Sequence, residues 1–118
     1  MFATYIQRVI ESEILSQISR YTTKHTAHNH VAMLFRGRKV IAIGQNRPMS
    51  RGRGKHDTIH AEVDVIRALG DVQKLRGTKL VVIRLASSGI INSAPCSACQ
   101  CVLNKCIRDY GLLGYEHS

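Results

Sequence analysis

Apolar residues at Phe2, Tyr5, Ile6, Val9, Ile10, Ile14, Leu15 and Ile18 recur at intervals of three and four, the period of a helix with one apolar stripe. The spacing predicts a single amphipathic helix from Phe2 to about Arg20 whose stripe needs a sheet to cover it. Tyr21 to Asn29 is polar, with threonines and histidines, and reads as a connector. The pattern then changes. His30 to Phe35 and Lys39 to Ile43 are short runs of strand-forming residues on either side of Gly37-Arg38, which predicts an antiparallel hairpin. Gly44 to Pro48 closes the second strand, and Met49 to Lys55 is a loop of glycine and arginine.

From Thr58 the sequence turns helical, with Ala61, Val65, Ile66 and Leu69 on one side and Gly70 as the stop. Leu80 to Leu85 is rich in β-branched residues and apolar at nearly every position, as expected of a central strand buried on both faces. Ser87 to Ala94 reads as a loop, and Pro95 suits the entrance of a third helix, where its missing N–H costs nothing. Gly111 ends that helix and leaves Leu112 to Tyr115 for one short last strand. Helix, two strands, helix, strand, helix, strand predicts an α/β three-layer sandwich. Its mixed sheet combines an antiparallel hairpin with parallel strands and is flanked by helices. At 118 residues, without a repeat or linker, residues 1–118 are expected to form one domain.

Composition narrows the setting. No apolar run approaches the roughly 20 residues of a membrane-spanning helix, and the N-terminus lacks the uninterrupted apolar core of a secretory signal. A protein of the reducing cell interior, cytoplasmic or nuclear, with no membrane partner, is the expectation. Its four cysteines are then expected to remain thiols. Cys101 and Cys106 read as small buried hydrophobes.

Two short motifs carry chemistry. His60-Ala61-Glu62 and Pro95-Cys96-Ser97-Ala98-Cys99 supply one imidazole, two thiolates and a carboxylate. Three ligands, His60, Cys96 and Cys99, fill three corners of a zinc tetrahedron and leave the fourth for water. A helix starting near Thr58 puts His60 and Glu62 about 200 degrees apart around its axis, which favours His60 as ligand and Glu62 as proton shuttle. Cys96 and Cys99, three apart, share one side of the next helix. A closed structural zinc site would need a fourth ligand from Cys101, His56 or Cys106. His25, His28 and His30 could hold a second ion but read better as a solvated connector.

The pairing of H-x-E with P-C-x-x-C resembles the zinc-dependent cytidine and deoxycytidylate deaminase superfamily, over about two-thirds of the chain from His30 through the helix after Cys99. The resemblance implies the cytidine deaminase-like fold, with zinc between the N-termini of the two motif helices. It also implies hydrolytic deamination, with hydroxide held by zinc attacking C4 of cytosine and Glu62 as general acid and base. By the same resemblance the backbone N–H groups of Ala61 and Cys96 orient the substrate. Asn46 matches the asparagine that contacts base or sugar, although a turn residue is an equal reading of it. Members often continue with another strand and helix, so a homo-oligomeric partner is expected to complete the active site.

Charge bears on the substrate. The net charge is +9, and between Arg36 and Lys55 lie seven Lys or Arg residues and no acid, an attractive field for phosphate beside the zinc motif. Arg47, Arg51, Arg53 and Lys55 are the candidate phosphate contacts. A single-stranded DNA or RNA, or a nucleotide, is the expected partner, ahead of a free nucleoside. With only six aromatic residues, stacking platforms for a long strand are scarce. Asn46-Arg47-Pro48 is similar to bacterial tRNA adenosine deaminases, whereas the cysteine motif is nearer the cytidine deaminase form. Cytosine to uracil is therefore expected first and adenine to inosine second. Free cytidine deamination, or a non-catalytic zinc-containing nucleic-acid-binding module, are the remaining readings.

Overall fold

A computed structural model describes residues 2–17, 29–48, 58–86, 89–91, 93 and 97–118. The candidate ligand Cys96, the candidate phosphate contacts Arg51, Arg53 and Lys55, and Pro95, His56, His25 and His28 lie outside the described residues. So does the end of the first predicted helix.

That helix begins as α1 (Thr4–Val9), widens into a π turn over Ile10–Ile14 and tightens into a 3-10 turn at Leu15–Gln17, where the described residues of this segment stop. Its buried residues Ile6, Ile10 and Ile14 are four apart. In a regular α-helix such a stripe drifts by about 40 degrees per step. A wider turn reduces the drift and keeps Ile10 and Ile14 over the sheet.

The hairpin forms as expected, β1 (Asn29–Arg36) against β2 (Lys39–Gln45), around Gly37 at φ 62. β3 (Arg47–Pro48) pairs with β4 (Thr58–Ile59), and α2 follows at Ala61–Leu69, ended by Gly70 at φ 88. The central strand is β5 (Thr78–Ala86), antiparallel to β1. Because β2 also runs antiparallel to β1, β2–α2–β5 is a parallel crossover that passes over β1. α3 (Ser97–Tyr110) leads through Gly111 into β7 (Gly114–His117), parallel to β5.

Two sequence expectations need correction. Gly89–Ile91, within the stretch read as a loop, forms a strand, β6, antiparallel to the end of β5. Gly89, at φ 124, opens the strand opposite Ala86, and two isoleucines continue it. The last strand begins at Gly114 instead of Leu112, because the Leu112 N–H returns to the Cys106 carbonyl and Leu112 is buried in the core.

Alternation along β1 and β5 sorts the core into two layers, as strand geometry requires. Val31, Met33, Phe35, Val81, Ile83 and Leu85 face Ile6, Ile10 and Ile14. Ala32, Leu34, Leu80 and Val82 face Ala61 and Val65 of α2 and Leu103 and Cys106 of α3. The sheet is thus covered on both faces.

Candidate metal centre

Helix α2 starts three residues later than its sequence pattern suggests. Thr58 and Ile59, a β-branched pair, join β4, and His60 is the N-cap with extended backbone, φ −69 and ψ 150. The 200-degree divergence expected of His60 and Glu62 therefore does not apply. His60 stands just outside the helix at its entrance, and Glu62 is buried in the first turn, 4% exposed.

Cys99 lies in the first turn of α3. Its spacing to Leu103 and Cys106 puts all three on the buried side of that helix. The two helix entrances meet: His60 Nδ1 and Cys99 Sγ are 3.0 Å apart, and donor atoms of His60, Glu62 and Cys99 all lie within 4.8 Å of one another. His60 is exposed, while Glu62 and Cys99 are buried. His60 and Cys99 are near enough that both would hold one zinc ion, with modest separation of the pair. One imidazole nitrogen and one soft sulfur, with the Glu62 carboxylate beside them, fit zinc better than a hard cation.

Cys101 and Cys106 stand outside this cluster. Cys106 is buried, as expected, and its thiol pKa is raised chiefly by burial, with Lys105 opposing and Asp109 assisting. Cys101 is exposed, contrary to the expectation of a buried hydrophobe, because two positions beyond Cys99 the helix has turned about 200 degrees.

Two residues that the sequence pattern did not single out position the centre. Gly44 packs against α2 so closely that a Cβ there would meet Val65 N at 2.4 Å. One residue on, the Gln45 N–H donates to the Asp64 carboxylate at 3.0 Å, while the Asp64 N–H donates to the His60 carbonyl at 2.9 Å. Together they hold the first turn of α2 against the end of β2. A glycine opposite a predicted helix is the one sequence signal of this approach, and it is equally a turn signal. Asn46 follows directly: its Oδ1 accepts the His30 N–H at 2.9 Å, and its own N–H donates to the His30 carbonyl at 3.3 Å. The backbone of Arg47 pairs with Ile59, at the entrance to His60. Among the described residues no helix is long and apolar enough to cross a membrane.

The sequence matches the family model for the cytidine and deoxycytidylate deaminase zinc-binding region over residues 7–109. Comparison with curated proteins finds no significant match. Among solved structures, dCMP deaminase from the cyanophage S-TIM5 in its apo form aligns with a TM-score of 0.62 at 14% identity, over 98% of this chain and 86% of that one. The dCMP deaminase from the same phage, in complex with dCMP and dUMP, aligns with a TM-score of 0.62 at 11% identity over 100% of both chains. These structures share the fold, an α/β sandwich with a mixed sheet flanked by helices. With the family model spanning most of the sequence and the His60, Glu62 and Cys99 donors converging where two helices begin, the chain belongs to the cytidine and deoxycytidylate deaminase zinc-binding family.

Proposed function

We propose that the protein is a zinc-dependent hydrolase that converts cytosine to uracil in a phosphate-bearing substrate, with a deoxycytidine nucleotide the first candidate and a single strand the second. The observation that carries this reading is the convergence of His60, Glu62 and Cys99 within 4.8 Å in a chain of this family. The similar phage enzyme in complex with dCMP and dUMP supports the choice of a nucleotide.

In this reading His60, Cys99 and Cys96 hold the metal and Glu62 does not. When bound, the ion acts as a Lewis acid that makes water nucleophilic at neutral pH. Glu62, buried in the cluster, takes one proton of the attacking water and passes it to N3 of the base, then carries the second water proton to the amino group, which leaves as ammonia. One carboxylate serves all these transfers because each has its partner within reach of the same two oxygens. The Ala61 N–H, at the first position of α2, points its helix-terminal partial charge at the reacting group. Asn46, oriented through His30, contacts the base or sugar, and Arg47 with Arg51, Arg53 and Lys55 meets the phosphate.

The test incubates zinc-loaded protein with deoxycytidine, dCMP, a cytosine-containing oligonucleotide and an adenine-containing oligonucleotide, and measures ammonia and the product base. Uracil from dCMP, faster than from deoxycytidine, is the expected result. Inosine without uracil would establish the adenine reading, and tight binding without ammonia would leave a binding module.

A further inference from the structure

The acid-free run from Arg36 to Lys55 does not stay together in the fold. Arg47 is at the metal end, where its backbone pairs with Ile59 beside His60. Arg36, Arg38 and Lys39 instead surround the turn of the β1–β2 hairpin. Arg36 is six positions along β1 from His30, the partner of Asn46, which at about 3.3 Å per residue is on the order of 20 Å from the metal end. The expectation that all seven cations lie beside the zinc motif is thereby corrected for these three. α2 and α3 begin at the metal cluster and end at Gly70 and Gly111, and the backbone of Gly111 lies against Arg76. The hairpin turn is therefore at the far end of both helices.

This end gathers cations on both faces of the sheet. Alternation from Ala32 and Leu34 puts Arg36 on the α2 side, where its Nη2 donates to the Lys74 carbonyl at 2.7 Å. Lys39 is directly opposite Arg36 in the ladder, and Lys74 and Arg76 flank the buried Leu75. On the other face the Arg38 guanidinium lies 6.0 Å from the centre of the Tyr5 ring and, with Tyr5, Thr4 and Arg8, lines an open pocket of about 400 Å³. Arg8, Arg36, Arg38, Lys39, Lys74 and Arg76 are all exposed. Among the described residues the ion pairs are Lys79–Glu116 and Arg108–Asp109, which neutralise none of the six. The acids nearest in the chain, Glu11 and Asp71, accept instead from the Gln7 amide and the Gln73 N–H.

We propose that this end of the sheet is a second phosphate-binding surface that holds the backbone of a nucleic-acid strand, separate from the metal centre and independent of the reaction proposed there. Six like charges crowded on one end repel each other, and a polyanion relieves that repulsion. Four of the six are arginines, whose fork of N–H donors matches a phosphate and whose weak hydration eases the exchange of water for phosphate. Arg36 and Arg38 are already held, one by the Lys74 carbonyl and the other over the Tyr5 ring, so less side-chain freedom is lost on binding. The extent of the surface argues for a strand over a mononucleotide, because it runs from Arg8 on one face around the turn to Arg76 on the other. Tyr5 is engaged by the Phe35 ring at 5.9 Å and by Arg38, so this end meets phosphates and not bases. Binding is therefore sequence-tolerant and salt-sensitive.

The test follows the fluorescence anisotropy of labelled mixed-sequence single-stranded DNA and RNA with the zinc-loaded full chain at several salt concentrations, with inorganic triphosphate as a second probe. It compares wild type, Arg36→Gln/Arg38→Gln/Lys39→Gln, Arg8→Gln/Arg38→Gln and Arg47→Gln. The triple variant is expected to bind both strands at least about 10-fold more weakly, with a salt slope shallower by about 2, at roughly 0.7 per phosphate contact on a single strand. Zinc content and dCMP turnover should match wild type. If the triple variant does not fold, judged by its thermal midpoint, Arg8→Gln/Arg38→Gln decides, with a slope shallower by about 1.4. Strand binding equal to wild type in both variants overturns the proposal, as does a wild type that binds neither strand at about 100 mM salt. Loss of triphosphate binding with strand binding intact would assign this end to a small polyphosphate, and loss of strand binding in Arg47→Gln alone would place the strand at the metal centre; each overturns it. A wild type that binds strands through this end yet deaminates no cytosine compound would support the surface while overturning the reaction.

Discussion

The two faces of the sheet are built from different materials. Against the N-terminal helix, the packed cluster consists of Ile6, Ile10, Ile14, Val31, Met33, Phe35, Val81, Ile83 and Leu85, with the buried Asn29 at the end of the row. Against α2 and α3 the layer includes Ala32, Ala61 and Cys106, Gly44 in close approach to Val65, and the buried Glu62 and Cys99. Large apolar side chains fill most of one face. Small ones on the other let two helix entrances come near enough to the sheet, and to each other, for three donors to meet. Stability is concentrated on the first face and chemistry on the second.

Glu62→Gln should separate the two most widely. The substitution keeps the volume and removes the proton shuttle, so deamination should fall by at least about 10²–10⁴-fold while zinc content and thermal midpoint stay near wild type. Turnover near wild type in the zinc-loaded variant would remove Glu62 from the mechanism. Ile10→Ala should do the reverse. It empties part of the apolar face and is expected to cost about 2–5 kcal/mol of stability, read from urea unfolding, with kcat of the folded fraction unchanged. A large fall in kcat would mean that the faces are coupled.

Gly44→Ala tests the boundary between them. A Cβ meeting Val65 N at 2.4 Å forces α2 off β2, and overpacking of this kind costs about 1–3 kcal/mol. Because the displaced helix carries His60 and Glu62, activity and zinc affinity should fall with stability, unlike either variant above. Loss of stability with intact zinc affinity would show that the cluster does not depend on this approach.

The apolar face was legible in sequence because its stripe, Ile6, Ile10 and Ile14, and its strand alternation are local patterns. The hairpin and the central strand were legible for the same reason. The site was legible as chemistry, in the two motifs, but not as geometry. His60 is extended and not helical because Thr58-Ile59 finds a strand partner in Arg47-Pro48, a pairing across an intervening segment that no local period encodes. Ile90-Ile91 became a strand because β5 offers it an edge.

The smallest effect expected concerns Cys106, the titratable group that the helix face of the sheet buries without using. Burial raises its pKa, against the opposing charge of Lys105 and with help from Asp109. The folded protein therefore holds this proton more tightly than the unfolded chain does. The corresponding stability is fully present below the unfolded thiol pKa of about 8.5 and is lost as pH rises through the higher folded value. Between pH 8 and pH 10 the wild type should lose stability more steeply than Cys106→Ala, and below pH 7 their difference should be constant. Zinc content should be the same in both, since Cys106 lies two turns along α3 from Cys99. Parallel unfolding curves for the two proteins over that alkaline range would show that the buried thiol ionises without penalty. Loss of zinc in Cys106→Ala would place the thiol in the metal centre and dissolve the division between a packed helix interior and a reactive helix entrance.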